Sequence, residues 1–241
     1  MRPAAVEALE RDTVAAVAPP QLLEIGGWLV PLDNGPIGRA KSAVPLSHDL
    51  SPEVLGEIEA AYRDRGLKPA FRIADVPSLA AVREELTRRG FAPEQPTIFK
   101  TGVVAELAEL SAASARILPK PDDAWAAVFL GDGFDPIDGA HRIAALARSP
   151  GALYGAAGEG GETQAVGVMS FGAAWAGIHG LRTSPAHRGK GLAAAVLAAM
   201  GREAQAQGVE RVCLQVEEGN AARRIYRKAG FSAAWRYHYW R

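Results

Sequence analysis

Apolar and polar positions alternate along the second half of the chain in segments of strand and helix character. Ala165 to Ser170, Gly177 to Thr183 and Val212 to Glu217 are short apolar runs of the kind found in buried strands. Another strand is predicted from Trp235 to Trp240. A helix is predicted from about Lys190, because apolar residues then recur at core-facing spacing: Leu192, Val196, Leu197 and Met200. The pattern predicts an α/β fold built on a mixed sheet.

The first half of the chain has a similar order of elements. In order, the predictions are strands over Gly27 to Pro31 and Ala40 to Leu46, a helix opened by Ser51-Pro52-Glu53, a strand over Pro69 to Ala74, a helix over Ser78 to Arg89 and a strand over Thr97 to Val104. Gly90-Phe91 and Gly230-Phe231 follow the last helix of each half. This order favours a duplication, with units at residues 1–105 and 106–241, over the coincidental alternation common in α/β chains.

The join between the halves is less regular. Leu107 to Leu118 fits either a helix or the first strand of the second unit, and the sequence does not decide between them. After this segment, Asp122 or Asp123 is suited to cap a helix that runs through Trp125 and Phe129.

A glycine-rich run with two cations connects a predicted strand to the predicted helix near Lys190. Helix N-termini leave four backbone N–H groups without partners and carry partial positive charge, so they attract phosphate. Gly189 and Gly191 lack the Cβ atoms that would keep an anion away, and Arg188 and Lys190 add positive charge. The run predicts a phosphate site, and the alternative is an ordinary basic turn. A dinucleotide site of the Gly-x-Gly-x-x-Ala type is rejected, because the acidic residue expected about 20 residues later is misplaced.

A second segment strengthens the phosphate interpretation. The strand that ends at Glu217 is followed by Asn220, a residue type favoured at helix N-caps, and then by a helix containing Tyr226. Gly230 suits the left-handed position just beyond the end of that helix.

Together, the two segments resemble the GNAT family of acetyl-CoA-dependent N-acetyltransferases. In that family's Arg/Gln-x-x-Gly-x-Gly/Ala loop, Arg188, Gly191 and Ala193 occupy the three defining positions. Leu181 and Thr183 fall where the family has Leu-x-Val, with threonine in place of valine. The resemblance covers the last third of the chain.

The resemblance implies a fold and a co-substrate site. The fold would be two tandem GNAT-like acyl-CoA N-acyltransferase units, of which only the second binds acetyl-CoA. In the degenerate first unit, Pro52 has no N–H to offer, and the carboxylates of Asp49 and Glu53 would repel a pyrophosphate. The spacing from Asn220 to Tyr226 is one residue shorter than is usual in the family. The residues implied to hold acetyl-CoA are Leu181, Thr183, Arg188, Gly189, Lys190, Gly191, Leu192, Ala193, Asn220 and Tyr226.

Two residues are candidates for proton transfer in such an enzyme. Tyr226 matches the family's general acid, which protonates the departing thiolate, and the alternative is a tyrosine that only anchors its helix. His179 lies where many members carry a glutamate that deprotonates the amine, and the alternative is a hydrogen-bonded structural histidine. Gly177 and Gly180 flank His179 and would suit a bulge that splays this strand from its parallel neighbour.

The resemblance also implies that the acceptor meets the loop from Leu130 to Gly139. Asp132, Asp135 and Asp138 there are candidates to attract a cationic amine, although such aspartates more often cap turns. Their spacing does not match a calcium loop, and no metal is expected.

Composition sets the remaining bounds. The 241 residues are 48% hydrophobic, and 27 Lys and Arg balance 27 Asp and Glu, which argues against a nucleic-acid or membrane partner. The single cysteine, Cys213, lies in an apolar strand and is expected to be a core residue. The N-terminus lacks the apolar core of a signal peptide, so a cytoplasmic protein is expected.

The leading hypothesis is an N-acetyltransferase that moves an acetyl group from acetyl-CoA to a primary amine by direct attack in a ternary complex. The acceptor would be a small molecule or a peptide amine, and the sequence does not speak to oligomeric state. The alternative is a coenzyme A-binding sensor or scaffold without transfer activity.

Overall fold

The structure is a computed structural model that describes residues 3–241. Within that range, no helix combines the length and the apolar character needed to cross a membrane. The helices are α1 (Pro3–Ala15), α2 (Leu55–Arg63), α3 (Ala80–Arg88), α4 (Val104–Ala108), α5 (Asp123–Leu130), α6 (Pro136–Ala147), α7 (Leu192–Ala206) and α8 (Arg223–Lys228). The strands are β1 (Gln21–Ile25), β2 (Trp28–Leu32), β3 (Val44–Pro45), β4 (Phe71–Ala74), β5 (Pro93–Val103), β6 (Arg116–Leu118), β7 (Leu153–Ala157), β8 (Ala165–Phe171), β9 (Ala176–Thr183), β10 (Arg211–Glu217) and β11 (Ser232–Trp240).

The strands of the described chain form a large mixed sheet and a small antiparallel one. The large sheet has eight strands in the order β4-β11-β5-β10-β9-β8-β7-β6, in which β10 and β9 run parallel. The small sheet has the order β1-β2-β3, and it meets the large one where Ala43 bridges Phe71 of β4. The predicted mixed α/β architecture is confirmed.

Strand β5 comes from the first half of the chain but lies between two strands of the second half. It pairs antiparallel with β10 from Thr97↔Glu217 to Val103↔Arg211 and with β11 on its other edge. Across the β5–β11 pair, Phe99 stacks on Trp235 with ring centroids 4.2 Å apart. The core therefore runs continuously from the first half into the second.

Helix α7 packs its apolar stripe on the sheet beside β7, β8 and β9. Val196, Leu197 and Met200 are fully buried there, as the helical spacing predicts. Gly155 and Gly167 leave room for this packing, since a Cβ on either would lie 2.8 or 3.1 Å from Val196.

Several local predictions are confirmed at the ends of helices. The carboxylate of Asp122 accepts a hydrogen bond from the Trp125 N–H at 2.7 Å and caps α5. Gly230 has φ +78°, and the Phe231 N–H donates to Tyr226 O at 3.0 Å, which closes the end of α8. The undecided segment between the halves takes in the end of α4, at Leu107 and Ala108, and the short strand β6.

Two first-half predictions are wrong in their bounds. Helix α2 begins at Leu55 after Val54, with a turn in which the Leu55 N–H donates to Pro52 O, so Ser51 is not its cap. The strand expected over 40–46 shrinks to β3, because a 3₁₀ turn over Gly38–Ala40 occupies the start of that segment.

A buried ion pair fastens α1 to the large sheet. Arg72 of β4 donates to Glu10 of α1 at 2.5 Å, and both side chains are almost fully buried. The guanidinium also lies 5.3 Å from the ring centroid of Tyr237 on β11. Burying two charges is costly, and losing one partner leaves the other buried and uncompensated.

We expect Arg72→Met to destabilise the fold by about 3–5 kcal/mol, because Glu10 is left as an unpaired buried charge. The double variant Glu10→Leu with Arg72→Met should recover much of this loss. Urea unfolding measures both. Arg11→Met is the control, since it breaks an exposed pair with Glu24 and should change stability very little. An effect of Arg72→Met as small as that of Arg11→Met would contradict the prediction.

Candidate active site

Strand β9 separates from its parallel partner β10 part-way along its length. The two pair from Val212↔Ala176 to Leu214↔Ile178 and no further. On the other edge of β9, the register with β8 slips by one residue between His179 and Arg182, which marks a bulge. Gly180 occupies that bulge with φ +56°, as predicted, whereas Gly177 stays in regular pairing. The bulge turns β9 away and opens a gap in the middle of the sheet.

Two cavities occupy this gap. The first, which we call the glycine-loop cavity, measures about 660 Å³ and is lined by the loop at Arg188 and the start of α7. The second, the arginine cavity, measures about 380 Å³ and lies towards β5 and β11. Four residues line both cavities, and the cavities therefore meet at Leu181, Arg182, Asn220 and Tyr226.

The glycine-loop cavity has the form of an anion site. Gly189 and Gly191 have φ +80° and +82°, and a Cβ on either would meet no atom within 4 Å. The Ala195 N–H donates to Gly191 O at 3.1 Å, which leaves the N–H groups of the three preceding helical residues without intrahelical partners. Unpaired N–H groups at the start of a long helix favour a phosphate there.

Most of the predicted co-substrate residues converge on this cavity. Arg188 lines it, whereas the Lys190 ammonium extends away to Glu159 at 3.4 Å. Phe134, His187 and Arg224 also line it, although none of them was among the residues implied to hold acetyl-CoA, and Phe134 belongs to the loop expected to meet the acceptor. The predicted residues that line the cavity are Leu181, Thr183, Arg188, Gly189, Gly191, Leu192, Ala193, Asn220 and Tyr226.

Asn220 and Tyr226 hold the far wall. The Asn220 side chain accepts from the Ala222 N–H at 2.8 Å, but α8 starts one residue later, so Asn220 folds the preceding turn and is not the predicted N-cap. Tyr226 is buried, its ring meets Phe231 edge-on at 6.0 Å, and burial raises its pKa to about 12. Its hydroxyl therefore keeps its proton across the physiological range.

His179 is buried in the arginine cavity with both ring nitrogens engaged. Arg39 approaches Nδ1 at 3.4 Å, and the Ser170 hydroxyl lies 2.8 Å from Nε2. Arginine only donates, so Nδ1 accepts and Nε2 carries the proton of the neutral ring. Burial, and secondarily the charge of Arg39, hold the pKa of His179 well below its usual value.

Arginines dominate the second cavity. They come from four separate segments of the chain. A single carboxylate, that of Glu217, lines the cavity with them. The first half of the chain contributes Arg39, Gln95 and Thr97 to the wall. The arginines that line the cavity are Arg39, Arg142, Arg182 and Arg241.

Two of the aspartates expected to attract an amine instead form hydrogen bonds within the protein. Asp135 caps α6 through the N–H groups of Ile137 and Asp138, at 2.8 and 3.0 Å. Asp138 accepts from Arg142 at 2.6 Å. Asp132, Asp135 and Asp138 are all absent from the walls of both cavities.

The described residues hold no other reactive cluster near the gap. Burial raises the pKa of the Cys213 thiol to about 12, consistent with a core cysteine. Across residues 3–241, no three His, Cys, Asp or Glu side chains converge as metal ligands would.

Similar structures have this fold. A GCN5-related N-acetyltransferase from Kribbella flavida superposes with a TM-score of 0.73 at 16% identity, covering 98% of this chain and 94% of that one. A tandem GNAT protein from the clavulanic acid biosynthesis pathway gives a TM-score of 0.62 at 14% identity, covering 98% and 93%. The chain therefore has the GNAT fold.

The family described as "Probable histone acetyltransferase Rv0428c C-terminal" matches residues 4–240, and the chain belongs to it. Probable histone acetyltransferase Rv0428c from Mycobacterium tuberculosis is 29% identical over 131 residues, which cover 52% of this chain. The matched region spans 38% of that relative's length.

The buried, neutral His179 predicts a pH dependence of stability. The unfolded chain takes up a proton on this histidine near its ordinary pKa of about 6.5, whereas the folded chain does not. Its contribution to stability is therefore complete above about pH 6.5 and is lost as the pH falls, by roughly 1 kcal/mol per pH unit.

We expect urea unfolding between pH 7 and 5 to show a shallower loss of stability for His179→Gln than for the wild type. His141→Gln, on the exposed face of α6, is the matched control and should keep the wild-type slope. An unchanged slope in His179→Gln would overturn the assignment.

Proposed function

We propose that this chain is an N-acetyltransferase that transfers the acetyl group of acetyl-CoA to a primary amine by direct attack in a ternary complex. The observation that carries the proposal is the junction of the two cavities at Tyr226. One cavity has an anion-binding loop, the other is open to a second ligand, and a protonated hydroxyl lies where they meet. A thioester and an amine brought together there need no covalent enzyme intermediate.

The residues of the glycine-loop cavity fit coenzyme A. The N–H groups at the start of α7 and the Arg188 guanidinium would bind the pyrophosphate. Backbone groups of Leu181 to Thr183, freed where β9 leaves β10, would hold the pantetheine arm. When bound, acetyl-CoA supplies an activated acetyl thioester.

Tyr226 is assigned as the general acid for the departing thiolate. Its raised pKa keeps the hydroxyl protonated until the thiolate forms, so that it is able to donate to the thiolate. The role of His179 as proton acceptor stays a prediction. Its low pKa argues against that role, and so do the contacts of its two ring nitrogens with Arg39 and Ser170.

The charge of the arginine cavity offers another route to a neutral amine. Positive neighbours disfavour an ammonium ion and lower its pKa. The protein itself provides an example, because burial together with the charges of Arg241 and Arg142 lowers the pKa of Lys41. An acceptor amine in this cavity would lose its proton to water more readily than in solution.

The tandem arrangement, with GNAT-like units at 1–105 and 106–241, is also part of the proposal. Support comes from the last strand of each unit, which pairs with a strand of the other unit. The last strand of the first unit, β5, lies beside β10, and the last strand of the second, β11, lies beside β4. The likeness to a protein described as a tandem GNAT supports it as well. The first unit would not bind acetyl-CoA, since α2 starts after Pro52 and Glu53 and carries Glu57 in its first turn.

The rival function is a coenzyme A-binding sensor or scaffold. Release of free thiol from acetyl-CoA across a panel of amines distinguishes the two, because sustained turnover with any acceptor excludes the rival.

We expect Arg188→Glu to weaken acetyl-CoA binding about tenfold or more, because it replaces a charge-assisted contact with a repulsive one. Calorimetric titration should return one site per wild-type chain. Arg227→Glu makes the same charge change outside both cavities and is the control. Equal affinity of the two variants, or two sites per wild-type chain, would contradict the assignment.

We expect Tyr226→Phe to lower kcat by about 10²–10⁴-fold, with a much smaller change in acetyl-CoA affinity. Tyr154→Phe also removes a buried hydroxyl, one that donates to Leu146 O at 2.8 Å, and should retain turnover. Steady-state kinetics with a saturating amine measures both. Full turnover by Tyr226→Phe, with chemistry shown to limit the rate, would reduce Tyr226 to a packing residue.

A further inference from the structure

The arginine cavity has more positive charge than its own acids neutralise. Four arginines and one carboxylate line it. Arg142 is paired with Asp138 at 2.6 Å, and Arg241 with Glu94 at 3.1 Å. Arg39 has no carboxylate within 4 Å among residues 3–241, and Arg182 reaches only the already engaged Asp138, at 3.7 Å. Two guanidinium groups thus remain available.

Each of these two groups has a buried nitrogen with no hydrogen-bond partner. They are Nε of Arg39 and Nη1 of Arg182. Buried donors are almost always satisfied in folded proteins. Arg39 and Arg182 both line the arginine cavity, so an acceptor bound there would complete the hydrogen bonding of these two side chains. An anionic oxygen would satisfy a guanidinium N–H best.

The Arg182 guanidinium is held rigidly. It lies between the rings of Phe129 and Phe134, with its central carbon 4.6 and 4.1 Å from their centroids. The Arg39 side chain is fixed from the other direction by its contact with His179. A guanidinium with a fixed plane suits bidentate recognition of a carboxylate.

We propose that the amine acceptor also carries a carboxylate, which Arg39 and Arg182 bind while the amino group faces the junction at Tyr226. This inference rests on the function proposed above. A cavity of about 380 Å³ suits a small amino carboxylate, since pockets for small molecules start near 300 Å³. A lysine in a basic peptide would instead bring further positive charge against four arginines, although the relative's name indicates a histone acceptor.

The first test uses acceptors matched in everything but the negative charge. Free amino acids and other small amino carboxylates are compared with their carboxamides and with a lysine-rich peptide. We expect the best acceptor to carry a carboxylate, and its carboxamide to have a kcat/KM about 10- to 100-fold lower.

The second test assigns the anchor to the two arginines. Arg39→Gln and Arg182→Gln should raise KM for the carboxylate acceptor about tenfold or more and leave KM for the carboxamide nearly unchanged. Arg39 lines only the arginine cavity, so Arg39→Gln should also leave acetyl-CoA binding unaltered. Arg182→Lys keeps the charge without the planar fork and covers the case in which Arg182→Gln does not fold. Arg148→Gln removes a more exposed arginine outside the cavity wall and is the control.

The outcomes separate this inference from the proposed function. If acetyl-CoA binds and the lysine-rich peptide or the carboxamides are acetylated as well as the carboxylates, the carboxylate anchor is wrong and the acetyltransferase assignment stands. If acetyl-CoA does not bind at all, the proposed function fails. Calorimetric binding of the amino carboxylates, lost in Arg39→Gln, would then still support the anchor, and its absence would overturn it.

Discussion

The position of β5 is the constraint on which the rest of the structure depends. Its N–H and C=O groups pair with β10 on one edge and with β11 on the other, so a strand from the first half completes the sheet of the second. The same pairing places Gln95 and Thr97 in the wall of the arginine cavity. The gap between β9 and β10 opens on the far edge of β10, the strand that β5 holds in place, and the site therefore depends on both halves of the chain.

The parts of the fold that the sequence predicts well are those determined locally. Gly230 ends α8 because a left-handed residue is needed there, and Asp122 caps α5 because its carboxylate reaches an N–H three residues on. Two failures lie at helix starts. Asn220 has capping chemistry too, but turns use that chemistry as readily as helix starts do, and its side chain folds the turn before α8. Ser51 lies just before the turn from Pro52 to Leu55 that precedes α2, so it does not reach the start of that helix.

The two cavities differ in how much of them can be predicted. The glycine loop is contiguous in the sequence, so the segment from Arg188 to Ala193 is enough to predict a phosphate site. The arginine cavity draws Arg39, Arg142, Arg182 and Arg241 from segments that only the tertiary fold brings together. In a chain with 27 cations and no net charge, nothing in the sequence distinguishes these four from solvated arginines. Asp135 is the opposite case. The sequence makes it a plausible ligand for an amine, but in the structure it caps a helix.

The place of β11 between β4 and β5 has a consequence for synthesis on the ribosome. Residues 71–103 emerge from the ribosome long before residues 232–240. Until β11 is made, the backbone edges of β4 and β5 that pair with it therefore remain unpaired. Such edges attract strands from other nascent chains, and pairings so distant in sequence form slowly. The first half therefore cannot complete its folding until β11 has been made, and its strand edges stay exposed to wrong pairing until then.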